Sequence, residues 1–210
     1  MSIGNRLILA THNAGKVAEM GTLLDPLGIT VVSAAALNLD EPEETETTFE
    51  GNAALKAEAA SKATGLPALS DDSGLAVHAL GGDPGVYSAR WAGPERDFAM
   101  AMARVLDALS QKSSSERGAS FISVLALAVP GETTRLFEGR VDGTIATIPR
   151  GTHGFGYDPI FIPQEGDGRT FGEMTAEEKS GGAAPLSHRA RAIAKFLAAM
   201  ADGGTDGRPG

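Results

Sequence analysis

Cysteine is absent from the 210-residue chain, so neither a disulfide framework nor a thiolate metal site is available. Histidine is sparse, with only four scattered residues, which argues against Zn²⁺ as a resident metal. No apolar run approaches the ~20 residues of a membrane span. Met1 to Arg6 lacks a signal-peptide pattern, and a cytoplasmic protein with no membrane partner is expected. Basic residues are also short: 18 Lys and Arg stand against 27 Asp and Glu, a formal net charge of −9. That balance argues against broad binding to a nucleic-acid backbone, which needs a basic patch. It also constrains any anionic ligand, because the site must gather cations or a metal ion against an unfavourable overall field.

No internal repeat and no inter-domain linker interrupt the chain. Hydrophobic residues at 42% and charged residues at 21% are ordinary for a globular protein. One domain over residues 1–201 is expected, with two lobes, and a disordered tail over 202–210 that carries no core residues.

The most informative segment lies near the start. Arg6 to Ala10 (RLILA) reads as a short buried strand, and Val17, Met20, Leu24 and Leu27 form one face of a helix that follows. The connecting turn is Thr11-His12-Asn13-Ala14-Gly15-Lys16. A helix N-terminus presents unpaired N–H groups and a positive dipole end, which together favour an anion. Gly15 permits close backbone approach, and Lys16 adds a full charge. It is not a Walker A loop, which needs an earlier glycine and a Ser or Thr after the lysine; here Val17 follows. An ordinary strand-to-helix connection with a surface lysine fits the same residues.

Further along, Thr30 to Ser33 reads as a strand and Asp40 to Thr48 (DEPEETETT) as an acidic loop. A long helix spans about Phe49 to Thr64, with Thr47 and Glu50 spaced for a capping box and Gly65 ending it. Its alanines (Ala53, Ala54, Ala57, Ala60, Ala63) suit close packing. Ala68 to Ser70 is expected to be a strand end delivering Asp71-Asp72-Ser73-Gly74. Gly81 to Gly93 reads as an ordered loop, and Asp97 as the cap of a helix with Phe98, Ala101, Met102, Val105 and Leu109 inward. Phe121 to Val129 is the best strand and turns into Thr133 to Glu138; Thr144 to Ile148 reads as another. Ser187 fits as the cap of a last helix from His188 to Met200. Leading βα units followed by a hairpin imply an α/β domain with a mixed sheet.

Three constellations could carry chemistry. Adjacent acids in extended chain point to opposite faces, so only one of Asp71 and Asp72 easily serves a given ligand. Glu43 and Glu44 could join it around a hard cation, and Mg²⁺ suits a few carboxylates plus waters and substrate phosphates; solvated turns are the alternative. In Gly154-Phe155-Gly156-Tyr157-Asp158-Pro159, glycines flank an aromatic that could stack on a base, or the segment is a packed turn. His188 and Arg189 oppose the dipole preference of a helix start, which points to an anion or acceptor facing them. Lys179 could serve a ligand or form a surface ion pair with a helix glutamate.

Taken in order, six blocks resemble the inosine triphosphate pyrophosphatase family: Thr11-His12-Asn13-Ala14-Gly15-Lys16, Thr48-Phe49-Glu50-Gly51-Asn52-Ala53, Asp71-Asp72-Ser73-Gly74-Leu75, Pro84-Gly85-Val86-Tyr87-Ser88-Ala89-Arg90, Gly154-Phe155-Gly156-Tyr157-Asp158-Pro159 and Ser187-His188-Arg189. The likeness extends from Leu7 to about Leu197. It implies an elongated α/β homodimer whose central mixed sheet is flanked by two lobes, with the active site in the cleft between them. The implied activity is Mg²⁺-dependent cleavage of ITP, dITP and XTP to the monophosphate and pyrophosphate, which keeps deaminated purines out of DNA and RNA.

The resemblance also assigns roles. The turn Thr11, His12, Asn13, Ala14, Gly15 and Lys16 would bind substrate, with Thr11, Asn13 and Lys16 on the triphosphate and Lys56 assisting. Glu43 and Asp72 would hold Mg²⁺, and Asp72 would accept the proton. Ser73, Phe155, Gly156, Tyr157, Asp158, Lys179, His188 and Arg189 would contact substrate. Donors from Ser187, His188 and Arg189 to O6 of hypoxanthine or xanthine would leave adenine facing donor with donor, a mismatch worth ~10⁴-fold in discrimination. Two departures stand out: Gly51 replaces a glutamate common in the family, and the Ser180 to Leu186 stretch is longer. A nucleotide-binding module without hydrolysis and a pyrophosphatase for modified pyrimidines are the competing readings.

Overall fold

The computed structural model describes residues 3–112, 115–181 and 185–203. Six strands form one mixed sheet in the order β2-β1-β3-β4-β5-β6. They are β1 (Arg6–Leu9), β2 (Thr30–Ser33), β3 (Ala68–Val77), β4 (Gly118–Ala128), β5 (Arg135–Ile145) and β6 (Phe161–Pro163). The helices are α1 (Ala14–Leu24), α2 (Phe49–Thr64), the short α3 (Ser88–Trp91), α4 (Phe98–Ser110), the short α5 (Ala176–Ser180) and α6 (His188–Gly203). Among the described residues no helix is long and apolar enough to cross a membrane.

The chain divides into two compact units. The first comprises residues 1–72, 124–137 and 193–210, and the second residues 73–123 and 138–192. In the first unit β1 runs parallel to β2 and β3, and Leu7, Ile8 and Leu9 are buried from both sides, as befits a central parallel strand. The small residues of α2 bring it close to the sheet: Ala53, Ala57 and Ala60 are buried, and Ser70 Oγ of β3 donates to Ala53 O at 2.5 Å. The second unit has its own apolar core, which includes Val105 and Leu109 of α4 together with Leu75, Phe121, Phe161 and Phe171.

The structure revises several sequence expectations. Helix α1 stops at Leu24 because Pro26 follows, and Leu27 is 48% exposed in a 3₁₀ turn instead of continuing the buried face. The cap of α2 is Thr48, not Thr47: its side chain accepts from Gly51 N at 3.1 Å, and glycine at that position has no side chain to complete a capping box. Strand β3 does not end at Ser70 but runs through Asp71 and Asp72 to Val77, continued by neighbours far away in sequence. The strand expected at Thr144 to Ile148 is the end of β5, which closes at Ile145 and leaves Ile148 exposed. The final helix includes Asp202 and Gly203; residues 204–210 of the expected tail lie outside the described residues.

Candidate active site

In the first unit the site starts where β1 ends. Its pairing with β3 stops at Leu9 opposite Leu69, so β3 continues past the point where β1 turns away. Asp71 and Asp72 lie on that continuation, at the carboxyl ends of parallel strands, where open α/β sheets bind ligands. The turn from Thr11 to Lys16 folds through its own polar groups. Asn13 Oδ1 accepts from Gly15 N at 2.9 Å and Lys16 N at 3.2 Å, and Thr11 Oγ1 accepts from Asn13 N at 3.2 Å. Two of the N–H groups at the helix start are thus already satisfied by the cap. His12 donates from Nε2 to Leu39 O at 3.0 Å and approaches Glu41 at 3.5 Å.

The alternation of β3 sends its two acids to different helices. Asp71 meets α1: Lys16 Nζ lies 2.8 Å from both carboxylate oxygens. Asp72 meets α2: Lys56 Nζ donates to Asp72 Oδ1 at 3.1 Å and to Glu44 Oε1 at 2.9 Å. Asp72 Oδ2 is buried with no hydrogen-bond partner among the described residues. Burial pushes the Asp72 carboxyl up to about 6, with Glu44 and Asp71 adding to the rise and Lys56 opposing it. Burial alone would lower the Lys56 pKa, yet the neighbouring Asp72 and Glu44 outweigh it and the ammonium is raised.

The unpartnered Asp72 oxygen suits a hard cation. Among the described residues no three His, Asp or Glu side chains gather into a metal cage. Mg²⁺ commonly takes one or two protein carboxylates and completes its shell with water and substrate phosphates. Glu43, the other expected ligand, is exposed; Glu44 is the acid that shares Lys56 with Asp72. Lys56, which the resemblance implied as an assisting residue, shares the buried face marked by Ala53, Ala57 and Ala60. Lys56 also lines a cavity of about 320 Å³, with His12, Leu39, Pro42, Ala59 and Ala63.

In the second unit the expected residues also form contacts. Asp158 Oδ2 accepts from Lys179 Nζ at 2.9 Å and from Phe155 N at 3.2 Å. Lys179 is therefore not a surface lysine paired along its helix but the buried partner of Asp158. Burial holds the Asp158 carboxyl above its ordinary value despite that lysine. Gly154 adopts φ +78°, and a Cβ there would strike Asp158 Oδ2 and come within 2.5 Å of Lys179 Nζ, so the loop passes directly over the ion pair. Tyr157 is anchored inward, donating to Ser88 O at 2.9 Å and meeting Phe98 edge-on at 5.6 Å. Phe155, by contrast, is 67% exposed, with the Arg189 guanidinium 5.7 Å from its ring centre.

His188 and Arg189 explain their place at a helix start by their partners. The His188 ring is buried and stacks on Phe121 at 4.7 Å and 7°. Arg189 Nη2 reaches Ser73 Oγ at 3.5 Å. Ser187 Oγ accepts from Ala190 N at 3.4 Å, a long capping bond. Residues 182–184 of the long loop before it lie outside the described residues.

The first unit thus carries two acids each paired with a lysine, and the second an exposed aromatic beside an arginine, on an α/β sheet. The chain belongs to the Ham1 family, whose model matches residues 7–199. A dITP/XTP pyrophosphatase from Agrobacterium fabrum is 56% identical over 201 residues, covering 91% of this chain and 94% of that protein. One of the same name from Gluconobacter oxydans is 52% identical, covering 98% and 95%. The HAM1 protein of Coxiella burnetii superposes with a TM-score of 0.88 at 39% identity, over 95% of this chain and 100% of that one.

Proposed function

We propose that this chain is a nucleoside triphosphate pyrophosphohydrolase that converts ITP, dITP and XTP to the monophosphate and pyrophosphate, removing deaminated purines from the nucleotide pool. The observation that carries the reading is the Asp71-Asp72 pair, each acid held by a lysine from a different helix, in a chain 56% identical to a dITP/XTP pyrophosphatase.

Residues of the first unit take the phosphates. Lys16 and Lys56 can exchange their carboxylate partners for phosphate oxygens, while Thr11 and Asn13 shape the turn. Asp72 would hold Mg²⁺, through the oxygen that has no protein partner, together with an acid of the 40–48 loop; Glu43 is the one the resemblance implies and Glu44 the one nearer by geometry. The metal, when bound, would neutralise the phosphates and the departing pyrophosphate. Asp72 orients a water in line with the α-phosphorus and accepts its proton as the new P–O bond forms and the bridging bond to the β-phosphate breaks.

Residues of the second unit take the base. Phe155 offers a stacking face, and Ser187, His188 and Arg189 offer donors to O6 of hypoxanthine or xanthine, which adenine cannot accept. Ser73, Gly156, Tyr157, Asp158 and Lys179 complete this end. A cytoplasmic homodimer belongs to the same proposal. Incubation with ITP and Mg²⁺ should release pyrophosphate and IMP; orthophosphate and IDP would sink the reading. Sedimentation should report a mass of two chains.

A further inference from the structure

The base end of the second unit depends on a residue that touches no substrate in the proposed function. Gly139 lies on β5, and α6 begins directly against it. A Cβ built on Gly139 would overlap His188 O and Ala192 N and lie 3.0 Å from Arg191 Cβ. Two of those atoms are helix backbone, and no flexible side chain can yield to make room. Any residue larger than glycine must therefore push the first turn of α6 away from β5. That turn carries His188 and Arg189.

The same turn is also tied down by one of its own side chains. Arg191 donates from Nη1 to Arg140 O at 2.9 Å, from Nε to Pro185 O at 2.8 Å, and to both carboxylate oxygens of Glu165 at 2.6 and 3.1 Å. The carbonyl of Arg140 belongs to the residue next to Gly139, so the clamp and the missing side chain act on one short stretch of β5. The His188 ring has little tolerance for displacement, because it stacks on Phe121 at 4.7 Å and 7°. Arg189 already meets Ser73 Oγ at the limit of hydrogen-bond length, 3.5 Å.

We propose that Gly139 is a specificity-determining positioning residue: its missing side chain, with the Arg191 clamp, sets the distance at which His188 and Arg189 read the base. The inference rests on the base-reading role proposed for that pair. A displacement near 1 Å is enough to cost a positioned interaction as much as 10²-fold. The loss should fall on base recognition, since the triphosphate contacts come from other elements.

The test compares wild type with Gly139→Ala on ITP, dITP, GTP and dATP, measuring kcat and KM by pyrophosphate release, with hydrogen exchange at the amides of residues 188–193. Gly21→Ala, a helical site with nothing within 4 Å of the added carbon, is the control and should match wild type. In Gly139→Ala, KM for ITP should rise about tenfold or more with kcat within about threefold. The preference for ITP over dATP should shrink about tenfold, since ITP, dITP and GTP all carry the O6 acceptor that this pair would read, and the α6 amides should exchange faster. Equal losses on all four nucleotides, or unchanged discrimination, would overturn the proposal. Should Gly139→Ala not fold, Arg191→Met removes the clamp alone; reduced ITP preference then supports the proposal and unchanged preference overturns it. A wild-type protein that releases no pyrophosphate from ITP overturns the pyrophosphatase reading instead, while the exchange data still decide the packing of α6 on Gly139.

Discussion

The first unit holds its candidate site groups by ion pairs, and the second holds its own by packing as well as charge. Lys16 and Lys56 each rest on carboxylates, and the Lys16 side chain is still 28% exposed. His188, Tyr157 and Asp158 are instead buried among rings, backbone and one internal lysine. The difference follows from what each end would recognise. Phosphates are strongly charged and conformationally variable, so cations that can change partners suit them. A purine differs from its competitors by one or two polar atoms, and reading that difference requires donors fixed to within a fraction of an ångström.

That contrast can be broken at several points. The largest effect is expected for Asp72→Asn, which should lower kcat on ITP by roughly 10³-fold or more by removing both a proton acceptor and a charge. Circular dichroism should remain that of the folded protein. Next come the lysines, which separate the two units most directly. Lys179→Met would strand the buried Asp158 carboxylate and should destabilise the fold by about 3 kcal/mol, seen as a clear drop in melting temperature. Lys16→Met should change the melting temperature less, because the Lys16 side chain is 28% exposed against 11% for Lys179, yet raise KM for ITP about tenfold or more. Equal thermal losses in the two variants would erase the distinction drawn above.

Titration sharpens the same comparison. With its folded value pushed up to about 6 from 3.8, Asp72 binds its proton more tightly in the folded chain than in the unfolded one. Its contribution to metal-free stability is therefore fully present below about pH 3.8 and is lost as pH rises through about 6. Subtracting the pH profile of metal-free Asp72→Asn from that of wild type should leave a fall in stability over this window, up to about 3 kcal/mol. A flat difference would mean that Asp72 is ionised as an ordinary surface acid.

Two smaller effects concern the loop that leads into α2. Glu44→Gln should reduce kcat more than Glu43→Gln, since Glu44 shares Lys56 with Asp72; the reverse order would favour Glu43 as the metal ligand. Finally, a Cβ at Gly51 would lie 2.7 Å from Glu46 Cβ and 2.9 Å from Glu46 Cγ. Gly51→Ala should cost about 1 kcal/mol despite better helix propensity, and adding Glu46→Gly should recover most of it in a double-mutant cycle.

Local features were the legible ones. The strand, turn and helix from Arg6 to Leu24 followed from periodicity and punctuation, and the opposite destinations of Asp71 and Asp72 followed from the pleat. Asp97 was readable as a cap because its side chain accepts from a residue three places on, Met100. What escaped depends on distant partners. The length of β3 past Ser70 is set by a sheet neighbour about fifty residues away, and the pairing of Lys179 with Asp158 spans an intervening strand. Two adjacent threonines before α2 left the cap undecided by spacing, and Gly51 decided it by lacking a side chain. Gly139 carried no signal of its own, since its importance lies in an atom it does not have.

The ion pair of Lys16 with Asp71 bears on how a turnover would end. With each lysine already matched to a carboxylate in the ligand-free chain, substrate binding becomes an exchange of one anion for another. The affinity for phosphate is then a difference between two attractions, smaller than either. The tethered carboxylate also competes continuously with whatever anion has taken its place. Pyrophosphate, once detached from the nucleoside, has lost the hold of the base end and faces that competitor alone. In the proposed cycle Asp71 would thus act as a built-in counterion that favours the departure of product.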